Sequence, residues 1–217
     1  GFSVALKLDE FNNADYTAMT AENFRGVDVA VEFSTPATVV GNIERLAGLG
    51  VNVVVGATGW LEHLQRVREM VERSGIGLVW SPNYAVGMNV FARLVEEAAR
   101  LLAAEEDYGA WGWEIHHSTK KDVPSGTLLK LVETMRRAGY ARTIDTSSNR
   151  AGRHPGTHEI GFDSAADTIT LRHTVRSREG FARGALKAAR WVIGKRGFFE
   201  FSEVLYTAGH SRNQTTS

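Results

Sequence analysis

Two adjacent histidines, His116 and His117, and the lysine Lys120 stand shortly before a Ser-Gly-Thr turn at residues 125–127. Histidine can donate or accept a proton near neutral pH, and a lysine ammonium can neutralise a bound anion. A serine at the start of a helix caps its backbone, and the free N–H groups there favour a carboxylate or a phosphate. Together these residue types predict a polar pocket for a small dianion, with a group that can move a proton.

The histidines allow two other interpretations. They could be histidines without a function, or they could bind a metal ion together with His154 and His158. The i, i+4 spacing of that second pair suits a helix, but Pro155-Gly156 breaks a helix, and the chain has no cysteine to complete a zinc site. We therefore expect no metal, with one histidine as proton donor and the other as a carboxylate ligand.

The segment that leads into the histidines, residues 110–115, alternates as a β-strand does and places its two tryptophans on one face. If the alternation continues, His116 joins the face of Glu114 and His117 takes the opposite one. Adjacent histidines would then have different roles.

The first third of the chain alternates short apolar runs with helical patterns. Such a pattern predicts parallel strands in a doubly wound α/β sheet, where ligands bind beyond the carboxyl ends of the strands. The runs lie at residues 27–33, 51–55 and 77–80, and the helical patterns at 42–47 and 63–74. The loops that follow the strands are Ser34-Thr35, Gly56 to Gly59 and Pro82-Asn83-Tyr84.

The rest of the chain has a different pattern, with hairpin-forming strands predicted at 157–162 and 168–175. Helices are predicted at 91–102, 127–138 and 181–193, and a polar, frayed end at 207–217. This half predicts an α+β unit with a mixed or antiparallel sheet. At the other end of the chain, residues 2–8 read as a strand that ends at the acidic pair Asp9-Glu10.

Composition limits the class of function. The 217 residues include 25 Lys and Arg and 25 Asp and Glu, so no overall charge favours nucleic acid or an anionic membrane. No apolar run approaches the ~20 residues that span a bilayer. The absence of cysteine excludes thiol catalysis and fits a reducing compartment. We expect a cytoplasmic protein that binds neither nucleic acid nor a membrane.

The segment Glu114-Ile-His-His-Ser-Thr-Lys-Lys-Asp-Val-Pro-Ser-Gly-Thr127 resembles the signature of the dihydrodipicolinate reductase family. Members of this family reduce a cyclic dicarboxylate with NADH or NADPH. Further similar segments follow in the same order along nearly the whole chain, at residues 31–36, 54–60, 81–89, 150–158 and 178–185.

The resemblance implies a substrate, 4-hydroxy-tetrahydrodipicolinate, and its reduction to tetrahydrodipicolinate in diaminopimelate and lysine biosynthesis. His116 and Lys120 match the catalytic positions. The positions that match ligands of the substrate carboxylates are His117, Lys120, Ser125, Gly126 and Thr127.

The resemblance also implies a Rossmann-like nucleotide-binding domain at 1–84 and 179–217 and a substrate and oligomerisation domain at 85–178. The family usually forms tetramers through the sheet of the second domain. The positions that match cofactor contacts are Asp9, Ser34, Thr35, Gly56, Ala57, Thr58, Pro82, Asn83, Tyr84, Arg178 and Phe181.

One departure leaves an alternative open. The family's opening strand, Gly-rich loop and first helix do not occur in this sequence, and we expect them before Gly1 in a complete protein. Without them, the chain could be a non-catalytic fragment that binds a dicarboxylate but no nucleotide. A semialdehyde dehydrogenase is disfavoured because that class acts through a cysteine thiolate, and a zinc hydrolase is a more distant alternative.

Overall fold

The computed structural model describes residues 1–210, with side chains to residue 206. Strands and helices alternate along most of this range, with short 3₁₀ turns at Ala14–Tyr16 and Leu61–His63. In chain order they are β1 (Val29–Glu32), α1 (Val39–Gly48), β2 (Asn52–Val55), α2 (Leu64–Ser74), β3 (Gly77–Trp80), α3 (Val86–Leu101), β4 (Gly109–His116), α4 (Gly126–Arg137), β5 (Ile144–Arg150), β6 (Thr157–Asp163), β7 (Thr168–Thr174), α5 (Glu179–Val192), β8 (Gly197–Glu200) and α6 (Phe201–His210).

The chain divides into two compact units. The first contains residues 1–84 and the chain from Phe181 onward, and the second contains Ala85–Gly180. The first unit is built on a parallel sheet in the order β1-β2-β3-β8. Within the described range, no helix combines the length and the apolar character that a membrane crossing requires.

Helices cover both faces of this parallel sheet. Val53 and Val55 of β2 pack with apolar residues of α1 and α2, whereas Val54 between them packs with α5 and α6. A strand that is buried on both faces needs apolar side chains at every position, which explains the unbroken valine run. The predicted doubly wound sheet is confirmed.

The second unit contains a mixed sheet in the order β5-β4-β6-β7. β4 runs parallel to β5 and antiparallel to β6, and β6 and β7 form an antiparallel hairpin. The predicted combination of a Rossmann-like unit with a mixed-sheet α+β unit is therefore confirmed.

Two glycines let helices approach one face of the mixed sheet. A Cβ on Gly112 of β4 would lie 3.0 Å from Leu128 Cδ1 of α4, and one on Gly87 of α3 would lie 3.0 Å from His173 Nε2 of β7. Both α3 and α4 thus pack on the same face of the sheet. The sequence predicted that α3 begins at residue 91, whereas it begins at Val86. Gly87 lowers the helix propensity of this first turn, so the local pattern did not indicate it.

The prediction of a strand at residues 2–8 is wrong, since residues 1–9 form no helix or strand. A strand needs a paired neighbour to satisfy its backbone, and β1 pairs only with β2 among the described residues. Asp9 instead caps a turn, where its Oδ1 accepts hydrogen bonds from the N–H groups of Phe11 and Asn12.

Three elements were absent from the sequence prediction: β5, β8 and α6. β5 reads Ile-Asp-Thr-Ser-Ser-Asn-Arg and has no apolar alternation, because it is an edge strand with mostly exposed side chains. The frayed end predicted at 207–217 lies largely outside the described residues, and α6 continues to His210.

Candidate active site

The loop between β4 and α4 brings the predicted site residues of the second unit together. Ser125 caps α4 in the manner the sequence predicted: its Oγ accepts a hydrogen bond from Leu128 N at 3.2 Å. Its own backbone N–H donates to Glu114 Oε1 at 2.9 Å. The start of α4 is therefore fixed against the face of β4 that packs on α3 and α4, which we call the inward face.

Glu114 lies at the centre of this region, fully buried on the inward face of β4. Besides Ser125 N, its Oε1 accepts from Ser148 Oγ at 2.8 Å and Arg150 Nη2 at 2.9 Å. Burial raises the pKa of the Glu114 carboxyl, but hydrogen bonds from Ser125, Arg150 and Ser148 outweigh that effect and lower the pKa to about 2. Glu114 is therefore an anion at neutral pH, with Arg150 as its counter-ion.

Two imidazoles face the other oxygen of this carboxylate. His116 Nδ1 is 3.5 Å and His158 Nε2 is 3.4 Å from Glu114 Oε2, and the two rings meet edge to face with centroids 5.0 Å apart. Burial lowers the pKa of both rings, that of His158 to about 4, while the negative charge of Glu114 opposes the shift. A lowered pKa makes a protonated His116 a stronger acid.

We expect His158 to make the stability of the second unit depend on pH. The pKa of His158 in the folded chain lies below the ordinary value of 6.5, so the unfolded chain binds a proton at a higher pH than the folded chain. The free energy of unfolding is therefore highest above pH 6.5 and decreases as the pH falls towards 4. The loss amounts to about 3 kcal/mol, since each pKa unit corresponds to about 1.4 kcal/mol. This loss can be measured from urea unfolding at several pH values, with hydrogen exchange of the β4 and β6 amides as the probe of the second unit.

The variant His158→Gln should reduce the pH dependence between 6.5 and 4, and leave the part that comes from His116 and His173, whose pKa values burial also lowers. His63→Gln removes an exposed imidazole from the first unit and serves as the matched control, which should keep the full slope. An unchanged slope in His158→Gln would show that other groups cause it.

Lys120 and the first N–H of α4 converge on one carboxylate. Lys120 Nζ lies 2.7 and 2.9 Å from the two oxygens of Asp122, and Gly126 N donates to Asp122 Oδ2 at 3.3 Å. The hydrogen bond from Lys120 lowers the pKa of the Asp122 carboxyl. Two of the predicted carboxylate ligands therefore already bind a carboxylate in the folded chain.

The two adjacent histidines differ as the strand alternation predicted. His116 shares the buried face of Glu114, whereas His117 is half-buried and its Nδ1 lies 2.7 Å from Thr119 Oγ1. Thr127 is half-buried in the first turn of α4. The substrate-binding roles of His117 and Thr127 stay predictions.

In the first unit, the polar residues after β1 form a network of hydroxyl groups. Thr38 Oγ1 donates to Ser34 Oγ at 2.9 Å and lies 3.0 Å from Thr35 Oγ1. Glu32, at the end of β1, accepts from Ser34 N through Oε1, while its Oε2 is buried and has no partner within the described range.

The loops after β2 and β3 end at the same edge of the sheet. Thr58 and Pro82 are exposed there, and Gly56 and Asn83 are half-buried. Two predicted cofactor residues make internal contacts: the Tyr84 hydroxyl lies 2.9 Å from Val55 O and 3.0 Å from Val79 O, and Ala57 O accepts from Trp60 Nε1. Burial raises the pKa of Tyr84, so this hydroxyl stays protonated and joins the ends of β2 and β3.

The remaining predicted cofactor residues are spread over both units. Phe181 is half-buried in the first unit, and Arg178 is exposed at the end of the second. Asp9 is exposed in its turn. Their contact with a cofactor remains a prediction.

The sequence prediction omitted two residues of the site, Glu114 and Arg150, and considered a third, His158, only as a possible metal ligand. The alternation of β4 placed Glu114 beside His116, and that signal was sufficient to nominate it. Arg150 and His158 lie far along the chain, and their approach depends on the pairing of β4 with β5 and β6.

Among the described residues, the donor atoms of Glu114, His116 and His158 lie within 4.8 Å of one another, close enough to share a metal ion. However, Arg150 already neutralises this carboxylate. A divalent cation would add uncompensated positive charge to a buried site, which is costly. We therefore keep the expectation of no metal as a prediction.

Comparison with known families fits this arrangement. The family model described as "Dihydrodipicolinate reductase, N-terminus" matches residues 5–84, and that described as "Dihydrodipicolinate reductase, C-terminus" matches residues 87–205. The chain belongs to the dihydrodipicolinate reductase family. It is accordingly an oxidoreductase of a family that uses NADH or NADPH.

Curated relatives share about a third of their residues with this reductase chain. The 4-hydroxy-tetrahydrodipicolinate reductase of Christiangramia forsetii is 34% identical over 190 residues, which cover 82% of this chain and 80% of the relative. That of Methanosarcina mazei is 34% identical over 194 residues, covering 82% and 73%.

A solved structure has the same fold as this reductase. The dipicolinate-bound dihydrodipicolinate reductase from Paenisporosarcina sp. TG-14 matches it with a TM-score of 0.73 and 22% identity, over 81% of this chain and 73% of that one.

Proposed function

We propose that this chain reduces 4-hydroxy-tetrahydrodipicolinate to tetrahydrodipicolinate with NADH or NADPH, a step of diaminopimelate and lysine biosynthesis. The observation that supports this substrate class most directly is the contact of Lys120 and Gly126 N with the Asp122 carboxylate. These donors lie in the loop that joins β4, which ends at the buried His116, to α4. A dicarboxylate bound by the same donors would replace Asp122 there.

The chain's own residues bind, neutralise and protonate the substrate. Lys120 neutralises one carboxylate, and the start of α4, with Ser125, Gly126 and Thr127, offers N–H and hydroxyl donors to it. His117, in the same loop, is a further ligand of a substrate carboxylate. His116, at the end of β4, and Lys120, in the loop that follows, supply the proton that accompanies the hydride, because both carry an acidic N–H. The hydride and the proton together balance the loss of the substrate's 4-hydroxyl group, which leaves as water.

The nucleotide site is assigned to the loops after β1, β2 and β3. Their hydroxyl groups fit the ribose and carboxamide groups of a dinucleotide, which lie beyond the carboxyl ends of strands in such sheets. When bound, the reduced nicotinamide supplies the hydride.

Calorimetric titration tests the proposal with three probes: NADPH, NADH and pyridine-2,6-dicarboxylate, a planar mimic of the substrate. The proposal expects binding of a nucleotide and of the dicarboxylate, and oxidation of the nucleotide when the true substrate is present. Dicarboxylate binding without nucleotide binding would support the alternative, a non-catalytic binding protein. Binding of neither by a folded sample would exclude both functions for this chain.

Lys120→Ala should weaken dicarboxylate binding and lower turnover together, since it removes both a counter-charge and a proton donor. We expect a loss of about 10-fold or more in each, the size of a charge-assisted hydrogen bond. The matched control is Lys121→Ala, which removes the exposed neighbouring lysine. Equal behaviour of the two variants would remove Lys120 from the site.

We also propose that the protein assembles as a homotetramer through the second sheet. Both α3 and α4 lie on the Glu114 face of this sheet, and the opposite face presents the half-buried Trp111 and Trp113. Tryptophan is enriched at subunit interfaces. Sedimentation equilibrium measures the number of subunits in the assembly.

The cytoplasmic location stays a prediction.

A further inference from the structure

The second sheet has a row of ionisable side chains on its inward face. The register of β4 and β6 places Glu114 opposite His158, and the register of β6 and β7 places His158 opposite His173. Directly opposed residues share a face of the sheet, and His116, two residues after Glu114, lies on that face as well. One carboxylate therefore meets imidazoles from two different strands.

The hydrogen bonds of Glu114 are divided unequally between its two oxygens. Oε1 accepts from Ser125, Ser148 and Arg150, whereas Oε2 is buried and has no hydrogen-bond partner among the described residues. Buried carboxylate oxygens are almost always satisfied by a donor. The ring nitrogens that face Oε2 are His158 Nε2 at 3.4 Å and His116 Nδ1 at 3.5 Å.

The Nδ1 atom of His116 is also buried, and it too has no hydrogen-bond partner in the part of the chain that the structure describes. An N–H on this nitrogen would satisfy both atoms at once. The proton of a neutral imidazole resides on one nitrogen only, and the partner of that nitrogen decides which one.

We infer that Glu114 is a positioning residue for His116: its Oε2 accepts the Nδ1–H, so that Nε2 is the nitrogen that exchanges a proton with the substrate. This inference rests on the proposed function and deepens it, since it names the acting nitrogen and the group that orients it. A fixed Nδ1–H leaves Nε2 with a lone pair when the ring is neutral and with a transferable proton when it is charged.

His158 supports the same carboxylate from the neighbouring strand. Its Nε2 lies between Glu114 Oε2 and Ser125 Oγ, the latter at 3.2 Å. If His158 Nε2 carries its proton, it gives Oε2 a second N–H donor and keeps the carboxylate directed at both rings. The charged groups that act on His116 are Glu114, Lys120, Arg150 and Asp122, and Glu114 is the anion directed at its Nδ1.

A purely structural role of Glu114, as the partner of Arg150, makes a different prediction. In that case Glu114 Oε2 would not determine which ring nitrogen of His116 carries the proton. Nitrogen-15 NMR of the chain labelled at histidine distinguishes the two roles, because protonated and unprotonated ring nitrogens differ strongly in chemical shift. At a pH where His116 is neutral, we expect the Nδ1–H form, the less common tautomer of free histidine.

Two variants give matched comparisons. Glu114→Gln keeps the shape but removes the charge, and should shift His116 towards the Nε2–H form and lower kcat by about 10-fold or more with a smaller change in KM. Ser148→Ala removes a donor from Oε1 and leaves Oε2 untouched, so the His116 tautomer should stay as in the parent chain.

The outcomes separate this inference from the proposed function. An Nε2–H tautomer of His116 in the unsubstituted chain would overturn the inference, even if Glu114→Gln does not fold and whether or not the chain reduces the substrate. An Nδ1–H tautomer that is lost in Glu114→Gln and kept in Ser148→Ala would support it. If the tautomer is Nδ1–H but no reduction occurs, the proposed function fails and the positioning stands.

Discussion

Replacing His116 by alanine should lower kcat by about 10²–10⁴-fold in a complete enzyme of this family, the usual range for loss of a general acid. His116 is the imidazole that is both buried on the inward face of β4 and joined to the loop of Lys120 and α4. Burial also lowers its pKa and so strengthens the protonated ring as an acid. Steady-state rates of nucleotide oxidation measure the effect.

Binding should change much less than turnover in this variant. Pyridine-2,6-dicarboxylate should still bind to His116→Ala, because Lys120 and the start of α4 remain. His63→Ala, which removes an exposed histidine of the first unit, is the control and should retain the parent rate. A rate within a few-fold of the parent would remove His116 from the proton transfer.

Three of the four strands of the parallel sheet, β1, β2 and β3, could be predicted because each has a local apolar signal, whereas β8 was missed. The apolar runs of β2 and β3 are buried on both faces, so nearly every residue in them is apolar. The predicted strand at residues 2–8 has the same local signal but no described neighbour to pair with. Local pattern therefore predicts the tendency to form a strand, and pairing decides whether the strand forms.

The residues around Glu114, at the centre of the candidate site, could be predicted only in part. His116, Lys120 and Ser125 are close in sequence, and their residue types alone indicated the chemistry. Glu114 was placed on the correct face, but its importance depends on Arg150 and His158. Those partners reach it only through β5, a polar strand without a sequence signal, and through the register of β6.

This dependence predicts a large loss of stability when Arg150 is replaced. Arg150→Met should lower the free energy of unfolding of the second unit by about 3–5 kcal/mol, because it leaves a buried carboxylate without its counter-ion. The side chain of Glu114 has no solvent exposure and that of Arg150 retains 14%, so water cannot replace the lost partner. Arg150 Nη2 also donates to Asp122 O, and the variant frees this loop as well.

A double-mutant cycle shows how much of that loss comes from the unpaired charge. Adding Glu114→Gln to Arg150→Met removes the carboxylate, so we expect the double variant to be more stable than Arg150→Met alone. The deficit of Arg150→Met should also shrink as the pH falls from neutral towards 2. A buried carboxyl without a cation has a raised pKa and becomes neutral first, whereas the parent carboxylate, whose pKa is about 2, loses its stabilising effect only at lower pH. Hydrogen exchange of β4 and β6 amides reports both effects in the second unit. If the costs of the two substitutions simply add at every pH, the ion pair does not stabilise this unit, and the position of Glu114 must be held by Ser125, Ser148 and the histidines.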